Sequence, residues 1–301
     1  MLGVSVVIPC YNAAKYLRET LDSVLAQEYD GPLEVLVADD GSHDGSPEIV
    51  ASYAPHVQLL VRELHENRSA SCARNRCLRA ATQPLIAFLD ADDLWMPGHL
   101  SALAQAMQRR PDLGLVYDKG YFVNSDGSII GPQFPEPHRP RIKPDDLLLE
   151  QCFVPAGVMV RRLAFNRVGV FNETLGHAED HDMWLRVLES FPAEHVPHCG
   201  YKYRLHDGQK SLKPALWLNV DRVLAKACAR YPYSRQSIRK RKAVIAYRFS
   251  EIAFRERRYV AGTYLLAKAT WLDPLRAVHE AWTRFRSADN SAPASFNTMP
   301  N

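Results

Sequence analysis

The 301-residue sequence has no apolar run approaching the roughly 20 residues needed to span a bilayer. Its start lacks the basic and apolar stretches of a signal peptide. Glycine and proline number only 15 and 20, which excludes fibrous and low-complexity chains. The six cysteines include no Cys-x-x-Cys pair, so we expect reduced thiols rather than a disulfide framework or a zinc-cysteine site. These absences predict a cytoplasmic globular protein.

Charge is distributed unevenly along the chain. The whole sequence carries 37 Lys and Arg against 34 Asp and Glu, a formal charge of +3. From Leu216 onward the balance is 16 against 6, or +10, whereas the first 215 residues carry 21 against 28, or −7. We therefore predict an acidic domain over residues 1–212, a basic helical region over 213–287 and a disordered tail over 288–301.

The first 120 residues alternate short apolar runs with helical patterns, which predicts βαβ units and a mostly parallel sheet. The predicted strands are 4–8, 33–38, 57–61, 84–89 and 113–117, with a later strand at 158–161 and a helix at 180–190. Residues 131–144 hold five prolines, so we expect a surface loop without regular structure. Beyond residue 216 the pattern is helical.

Acidic residues follow the predicted strands at the edge where ligands of open α/β sheets bind. Asp39 follows the second strand, and Asp90 and Asp92 follow the fourth. Carboxylates two residues apart in extended chain face the same way, so Asp90 and Asp92 can meet one hard cation. The alternative explanation is that Asp favours turns and helix caps.

A second acidic group precedes an apolar helix stripe that includes Trp184. Glu179 and Asp180 occupy its first turn, where they either complement the helix dipole or supply a general base. Sequence spacing does not decide between these interpretations. Cationic candidates lie elsewhere: arginine suits diphosphate recognition and histidine suits phosphate or metal, unless a side chain only covers a solvated helix face. They are Arg68, Arg74, Arg204 and His206.

Taken together and in order, these segments resemble a family-2 glycosyltransferase of the GT-A fold. The resemblance runs from Val4 to about Ser211. It is carried by Ser5–Asn12, Asp39–Ser46, Ala73–Asn75, Leu89–Asp93, Val168–Arg186 and Tyr203–His206. Asn67-Arg68-Ser69 departs from it, because the family commonly has Asn-x-Gly there.

The resemblance implies an α/β fold, a Rossmann-like mostly parallel sheet flanked by helices, followed here by a C-terminal helical extension. It implies inverting transfer of a sugar from a nucleotide-sugar donor, UDP-linked, to a hydroxyl of a glycan or lipid-linked acceptor. It further implies Mn²⁺ or Mg²⁺ as cofactor.

The same resemblance assigns roles to individual residues. Asp180 is the expected base, with Glu179 as its substitute, and Asp182 and Trp184 lie on the acceptor side. The expected metal ligands are Asp92, Asp90 and His206. The expected nucleotide contacts are Pro9, Tyr11, Asn12, Asp39, Arg68, Arg74, Asp90 and Arg204.

Two other functions remain open from the sequence: a non-catalytic nucleotide- or glycan-binding module, and a sugar nucleotidyltransferase. The second would carry a Gly-rich phosphate loop near the amino terminus, where this chain has Pro9-Cys10-Tyr11-Asn12. The basic region either packs as an amphipathic cap, forms a homo-oligomer interface or lies on the cytoplasmic face of an anionic membrane. We expect no nucleic-acid partner, because no recognition motif accompanies the charge.

Overall fold

The chain divides into two compact units. The structure is a computed structural model that describes residues 1–62, 69–133, 141–149, 154–206 and 214–276. The first unit comprises Met1–Lys143 and Cys152–Gln209, and the second comprises Pro144–Gln151 and Lys210–Asn301. The sequence analysis places a division at residue 212 but does not anticipate that Pro144–Gln151 joins the second unit. The predicted tail lies outside the described residues.

Within the described residues, the first unit contains one ten-stranded sheet with helices packed on it. The strands are β1 (Val4–Cys10), β2 (Leu33–Asp39), β3 (Val57–Val61), β4 (Leu85–Phe88), β5 (Leu94–Trp95), β6 (Leu115–Val123), β7 (Ile129–Pro132), β8 (Arg141–Ile142), β9 (Val158–Arg161) and β10 (Ala193–Arg204). The helices are α1 (Ala14–Leu25), α2 (Ser46–Ala51), α3 (Ala70–Ala80), α4 (His99–Arg109), α6 (Arg162–Val168) and α7 (Glu179–Leu188).

The predicted α/β fold is confirmed, but the sheet is mixed. Its order is β3-β2-β1-β4-β9-β6-β10-β5, with β7 on β6 and β8 on β10. The run from β3 to β4 is parallel, as the βαβ pattern predicts. Strand β9 then runs antiparallel to both β4 and β6, and β10 returns parallel to β6. The carboxyl ends of β1, β2 and β4 therefore meet at one edge.

The core lies where the apolar faces of strands and helices meet. Strand β1 is buried along most of its length because helices cover it, and Val6 and Ile8 are fully buried. Helix α1 contributes a stripe with helical spacing, in which Leu17, Leu21 and Val24 are fully buried. This packing fixes the strand ends, and with them the polar loops that follow.

The expectation that residues 131–144 lack regular structure is wrong at both ends of that segment. Gly131 and Pro132 belong to β7 and pair with Phe122 and Tyr121. Proline is compatible with an edge strand because its missing N–H need not face a neighbour. Arg141 and Ile142 pair with β10. Residues 134–140 lie outside the described residues.

The second unit is helical in its described residues. It comprises α5 (Pro144–Leu149), α8 (Ala215–Arg230), α9 (Arg235–Arg255) and α10 (Tyr259–Leu272). Helix α9 packs against each of the other three. Ser234 caps α9, since its hydroxyl accepts from the Ser237 amide at 3.0 Å, and its own amide donates to Asp145 at 3.0 Å. No helix in the described part of the chain is long and apolar enough to cross a membrane.

Candidate active site

The loops after β1 and β2 are tied together by hydrogen bonds. Asn12 has a left-handed backbone, with φ of 49°. Its amide donates to the Ser42 hydroxyl at 2.8 Å, and its side-chain oxygen accepts from the His43 amide at 2.9 Å. Pro9 lies within β1, paired with Ala38, and Tyr11 next to Asn12 is 47% exposed. Asn12 therefore fastens the loop after β1 to the loop after β2, and the neighbouring Tyr11 ring is open to solvent.

Asp39 is the last residue of β2, and only one of its two carboxylate oxygens accepts hydrogen bonds from the described residues. Its Oδ2 accepts from the amides of Gly41 and Ser42 at 2.9 and 3.1 Å. Its Oδ1 is buried and has no hydrogen-bond partner among the described residues. An unsatisfied buried acceptor is unfavourable unless a ligand supplies a donor. The predicted contact with a nucleotide base fits this oxygen.

Asp92 and His206 face each other beyond the ends of β4 and β10. The His206 Nε2 atom lies 2.9 Å from Asp92 Oδ2, and both side chains are partly exposed. In octahedral coordination at 2.0–2.1 Å, neighbouring ligand atoms lie about 3 Å apart. A carboxylate and an imidazole at this separation fit Mn²⁺ or Mg²⁺, together with ligand phosphate.

Asp90 is held by Arg74 rather than standing open beside Asp92. Arg74 is buried, and it donates to Asp90 Oδ1 at 2.6 Å and to Glu179 Oε1 at 2.8 Å. Burial raises the pKa of Asp90 and the Arg74 charge opposes that rise, whereas the two carboxylates raise the pKa of Arg74 despite its burial. Arg74 therefore joins the end of β4 to the start of α7.

Asp180 lies half-buried in the first turn of α7, next to Glu179. Burial and then the neighbouring Glu179 charge raise the pKa of Asp180 to about 7, although Arg74 opposes this. Ala178, which precedes the helix, has a left-handed φ of 58°. Non-glycine residues rarely adopt that conformation, which is a form of strain that clusters at functional sites. A carboxyl with a pKa near neutrality suits proton transfer at physiological pH.

Arg204 is almost fully buried and its donors are directed at the protein. Its amide donates to Asp93 Oδ1 at 2.9 Å, and its Nε donates to the Asp92 carbonyl at 2.9 Å. Its remaining nitrogens reach the Ser125 carbonyl and Glu19, and the guanidinium lies 4.5 Å from the Tyr16 ring centre. The geometry makes Arg204 a positioning residue for the acidic turn. Its contact with phosphate stays a prediction.

Trp184 and Asp182 lie in the interior. Trp184 is fully buried and packs edge-on against Phe88 at 5.3 Å between ring centres. Asp182 is buried and paired with Arg186 at 3.0 Å. Arg186 in turn donates to the Val168 carbonyl at 2.6 Å. Both side chains are buried and make their contacts within the protein. The geometry therefore does not support their expected place on the acceptor side. Arg68 lies outside the described residues.

Residues to which the sequence analysis assigns no individual role support the site. The Thr20 hydroxyl on α1 lies 3.0 Å from the Ala91 carbonyl and 2.9 Å from the Asp93 carbonyl. Asn75 bonds the backbone of Phe171 through both its amide nitrogen and its oxygen, each at 2.9 Å. In the sequence, the one indication of a role for Thr20 is its place in the apolar stripe of α1, where a hydroxyl group needs a hydrogen-bond partner.

The sequence model for glycosyl transferase family 2 matches residues 5–169, more than half of the chain. The chain belongs to glycosyltransferase family 2. A curated relative, UDP-Glc:alpha-D-GlcNAc-diphosphoundecaprenol beta-1,3-glucosyltransferase WfgD of Escherichia coli, is 31% identical over 67% of this chain and 77% of that protein. The chain spans between 30% and 65% of the length of several other curated relatives that it matches.

The fold of this chain is similar to that of solved glycosyltransferase structures. S. aureus TarS 1–349 in complex with UDP-GlcNAc has a TM-score of 0.67 at 20% identity, over 92% of this chain and 83% of that one. The mannosyltransferase PcManGT of Pyrobaculum calidifontis, in complex with GDP-Man and Mn²⁺, has a TM-score of 0.65 at 22% identity, over 96% and 81%. At these identities the likeness establishes the GT-A fold alone.

Proposed function

We propose that this family-2 chain transfers a sugar with inversion from a UDP-sugar to a hydroxyl of a glycan or lipid-linked acceptor. The observation that carries the proposal is the Arg74 bridge from Asp90 to Glu179, at 2.6 and 2.8 Å. It brings the end of β4, where the proposed donor binds, next to the first turn of α7, which carries the proposed base. TarS was solved with UDP-GlcNAc and WfgD is named for a UDP-Glc donor, which supports a UDP-linked donor here.

Asp180 is the base in this proposal. As the acceptor oxygen attacks the anomeric carbon, its proton passes to the Asp180 carboxylate. The bond from that carbon to the diphosphate breaks, and its electron pair leaves with the nucleotide. Inversion requires the attacking oxygen and the leaving phosphate to lie on opposite sides of the sugar. The pKa of about 7 leaves much of Asp180 ionised near neutrality, ready to accept the proton.

Asp92 and His206 are the proposed ligands of Mn²⁺ or Mg²⁺. When bound, the cation neutralises the negative charge that develops on the leaving diphosphate. Thr20 and Arg204 hold the turn that carries Asp92 through its backbone carbonyls. Asp39 accepts from the nucleotide base and Tyr11 stacks on it. PcManGT was solved with Mn²⁺, which supports the choice of metal.

The second unit is the proposed contact with an anionic membrane surface, on the cytoplasmic face. Val260, Tyr264 and Trp271 are spaced to share one face of α10, and Leu275 follows the end of that helix; each of the four is at least 67% exposed. Arg255, Arg257 and Arg258 precede this face and are exposed. Aromatic rings beside cationic side chains suit the headgroup region. WfgD is named for a diphosphoundecaprenol acceptor, which supports a lipid-linked acceptor.

The catalytic proposal is tested by screening nucleotide-sugars for transfer and hydrolysis, with and without Mn²⁺. We expect turnover with a UDP-sugar and a loss of about 10²–10⁴-fold in Asp180→Asn, with donor binding retained. Asp221→Asn, an exposed carboxylate on α8, is the matched control and should be unchanged. Donor binding without turnover would favour the binding module, and loss of donor affinity with normal turnover would remove Asp180 from the base role.

The membrane proposal is tested by co-sedimentation with anionic vesicles. We expect binding to weaken with salt and to fall in Trp271→Ser, whereas Leu163→Ser, a 64% exposed leucine of the first unit, should leave it unchanged. Binding that is indifferent to salt and to Trp271→Ser would contradict the assignment.

A further inference from the structure

A second cluster of metal-ligating side chains lies within the first unit. His99 begins α4, Asp118 lies in β6 and His198 lies in β10. His99 Nδ1 is 2.8 Å from Asp118 Oδ2, and His198 Nδ1 is 3.4 Å from the same oxygen. One ligand atom from each of the three residues lies within 4.8 Å of the others. Three separate elements therefore converge on one small volume.

The cluster is separate from the proposed donor site. His198 precedes Arg204 by six residues, which is about 20 Å of extended strand. The pairing of β10 with β6 shifts register between His195 and Cys199 and again between Cys199 and Tyr201. Such irregularities re-aim side chains. His198 lies within the first of these register shifts, and its side chain is directed toward Asp118.

The charge balance of the cluster favours a cation. The side chains of Asp118 and His99 are fully buried. The ion-pair partners of Asp118 among the described residues are the two histidines. Asp118 Oδ1 and His99 Nε2 are buried without any hydrogen-bond partner in the described part of the chain. A buried carboxylate is strongly unfavourable without compensating charge, and a divalent cation would provide it.

Glycines border the ligand atoms. A β-carbon at Gly200 would overlap both Asp118 Oδ2 and His99 Nδ1. A β-carbon at Gly157 would lie 3.1 Å from Asp118 Oδ1, and one at Gly98 would lie 3.5 Å from His198 Nε2. The missing side chains leave the carboxylate and the imidazoles close together without a bulky neighbour between them. The His198 side chain is 29% exposed and provides an entry path.

We propose that His99, Asp118 and His198 bind a divalent cation of the zinc type. Two imidazoles and a carboxylate are ligands that Zn²⁺ accepts, with water as the fourth ligand. Bonds of 2.0–2.2 Å place neighbouring ligand atoms of a tetrahedron about 3.3 Å apart. Two of the three separations between ligand atoms, 2.8 and 3.4 Å, are close to this value, and the third is at most 4.8 Å. The bound ion ties α4, β6 and β10 together.

The test measures Zn²⁺ binding, not transfer, so it stands apart from the proposed function. The untagged full chain carries Asp92→Asn and His206→Gln to remove the proposed donor-site ligands, and is freed of metal by a chelator that is then dialysed away. Titration calorimetry with Zn²⁺ alone should give one site per chain, and Zn²⁺ should raise the Tm. Adding His198→Gln should weaken binding at least about tenfold. His56→Gln, an exposed histidine elsewhere, is the matched control and should change nothing.

His198 is the chosen position because it is half-buried, whereas Asp118 and His99 are fully buried and their variants risk unfolding. Co²⁺ supplies an independent readout: we expect the visible absorption of a four-coordinate ion without a thiolate charge-transfer band. Absence of Zn²⁺ binding, affinity indifferent to His198→Gln, or a thiolate band would each overturn the proposal. In the first case the three residues would form a hydrogen-bonded clasp only.

Discussion

The Arg74 guanidinium donates to the Glu179 carboxylate at 2.8 Å, although 105 residues separate them in the chain. This contact fixes the first turn of α7 against α3. Glu179 is thereby held beside Asp180, where its negative charge raises the Asp180 pKa in addition to the effect of burial. The pair thus contributes, after burial, to the raised pKa of the proposed base.

Glu179→Gln should extend activity to lower pH. Asp180 accepts a proton only when ionised, so transfer rises with pH through its pKa of about 7. Removing the Glu179 charge lowers the Asp180 pKa, because like-charge repulsion no longer opposes ionisation. The midpoint of the acid limb in kcat/KM against pH should therefore fall below that of the unmodified protein. Glu28→Gln, an exposed site on the same unit, should leave it in place. A midpoint that stays or rises would contradict the coupling.

The regular elements could be predicted from periodicity because their apolar faces are long enough to show it. Strands 4–8 and 57–61 are found as Val4–Cys10 and Val57–Val61, and the helix at 180–190 is found as Glu179–Leu188. The two-residue strand Leu94–Trp95 is too short to carry a period, and it exists through pairing with β10. Helix α6 leads into the Val168–Arg186 motif, and its seven residues are too few to show a clear helical period.

The candidate site was predictable as a set of strand-end residues, and its pairings were not. The order of the motifs brings Asp39, Asp92 and Asp180 to one edge. The carboxylate with which each arginine pairs depends on packing between distant segments of the chain. Arg204, for example, donates to Glu19, which lies 185 residues away in the sequence. The interior position of Trp184 likewise follows from the side of α7 that faces the sheet.

Asp92→Asn should remove metal-dependent nucleotide binding. The amide oxygen is a weaker ligand than a carboxylate, so Mn²⁺ loses the charge that holds it beside His206. Calorimetric titration of UDP with Mn²⁺ present should show affinity lowered at least about tenfold, while UDP binding without metal stays as it was. Asp30→Asn, an exposed carboxylate, is the control. Full activity in excess chelator would remove the metal from the mechanism.

Asp39→Asn should change the preference between nucleotide bases. Uracil presents a ring N–H where cytosine presents an acceptor nitrogen, and the unused Asp39 Oδ1 accepts only from the former. Losing a hydrogen bond to a charged group costs about 1.5–3 kcal/mol, so the affinity ratio of UDP to CDP should fall about tenfold or more. The loop should persist, since the amide oxygen still accepts from Gly41 and Ser42; an unchanged Tm checks this. An unchanged ratio would place the base elsewhere.

Trp184→Phe should lower stability and leave acceptor binding intact. The indole is fully buried against Phe88 and Phe171, and full truncation of a buried Trp costs about 3–5 kcal/mol, so the smaller ring should cost about 3 kcal/mol or less. Trp271→Phe, at a ring that is 79% exposed, is the matched control and should not move the Tm. Thermal unfolding and the acceptor KM are measured on both variants. A raised acceptor KM with an unchanged Tm would contradict this prediction. It would indicate that Trp184 contacts the acceptor directly, because loss of packing alone would lower the Tm.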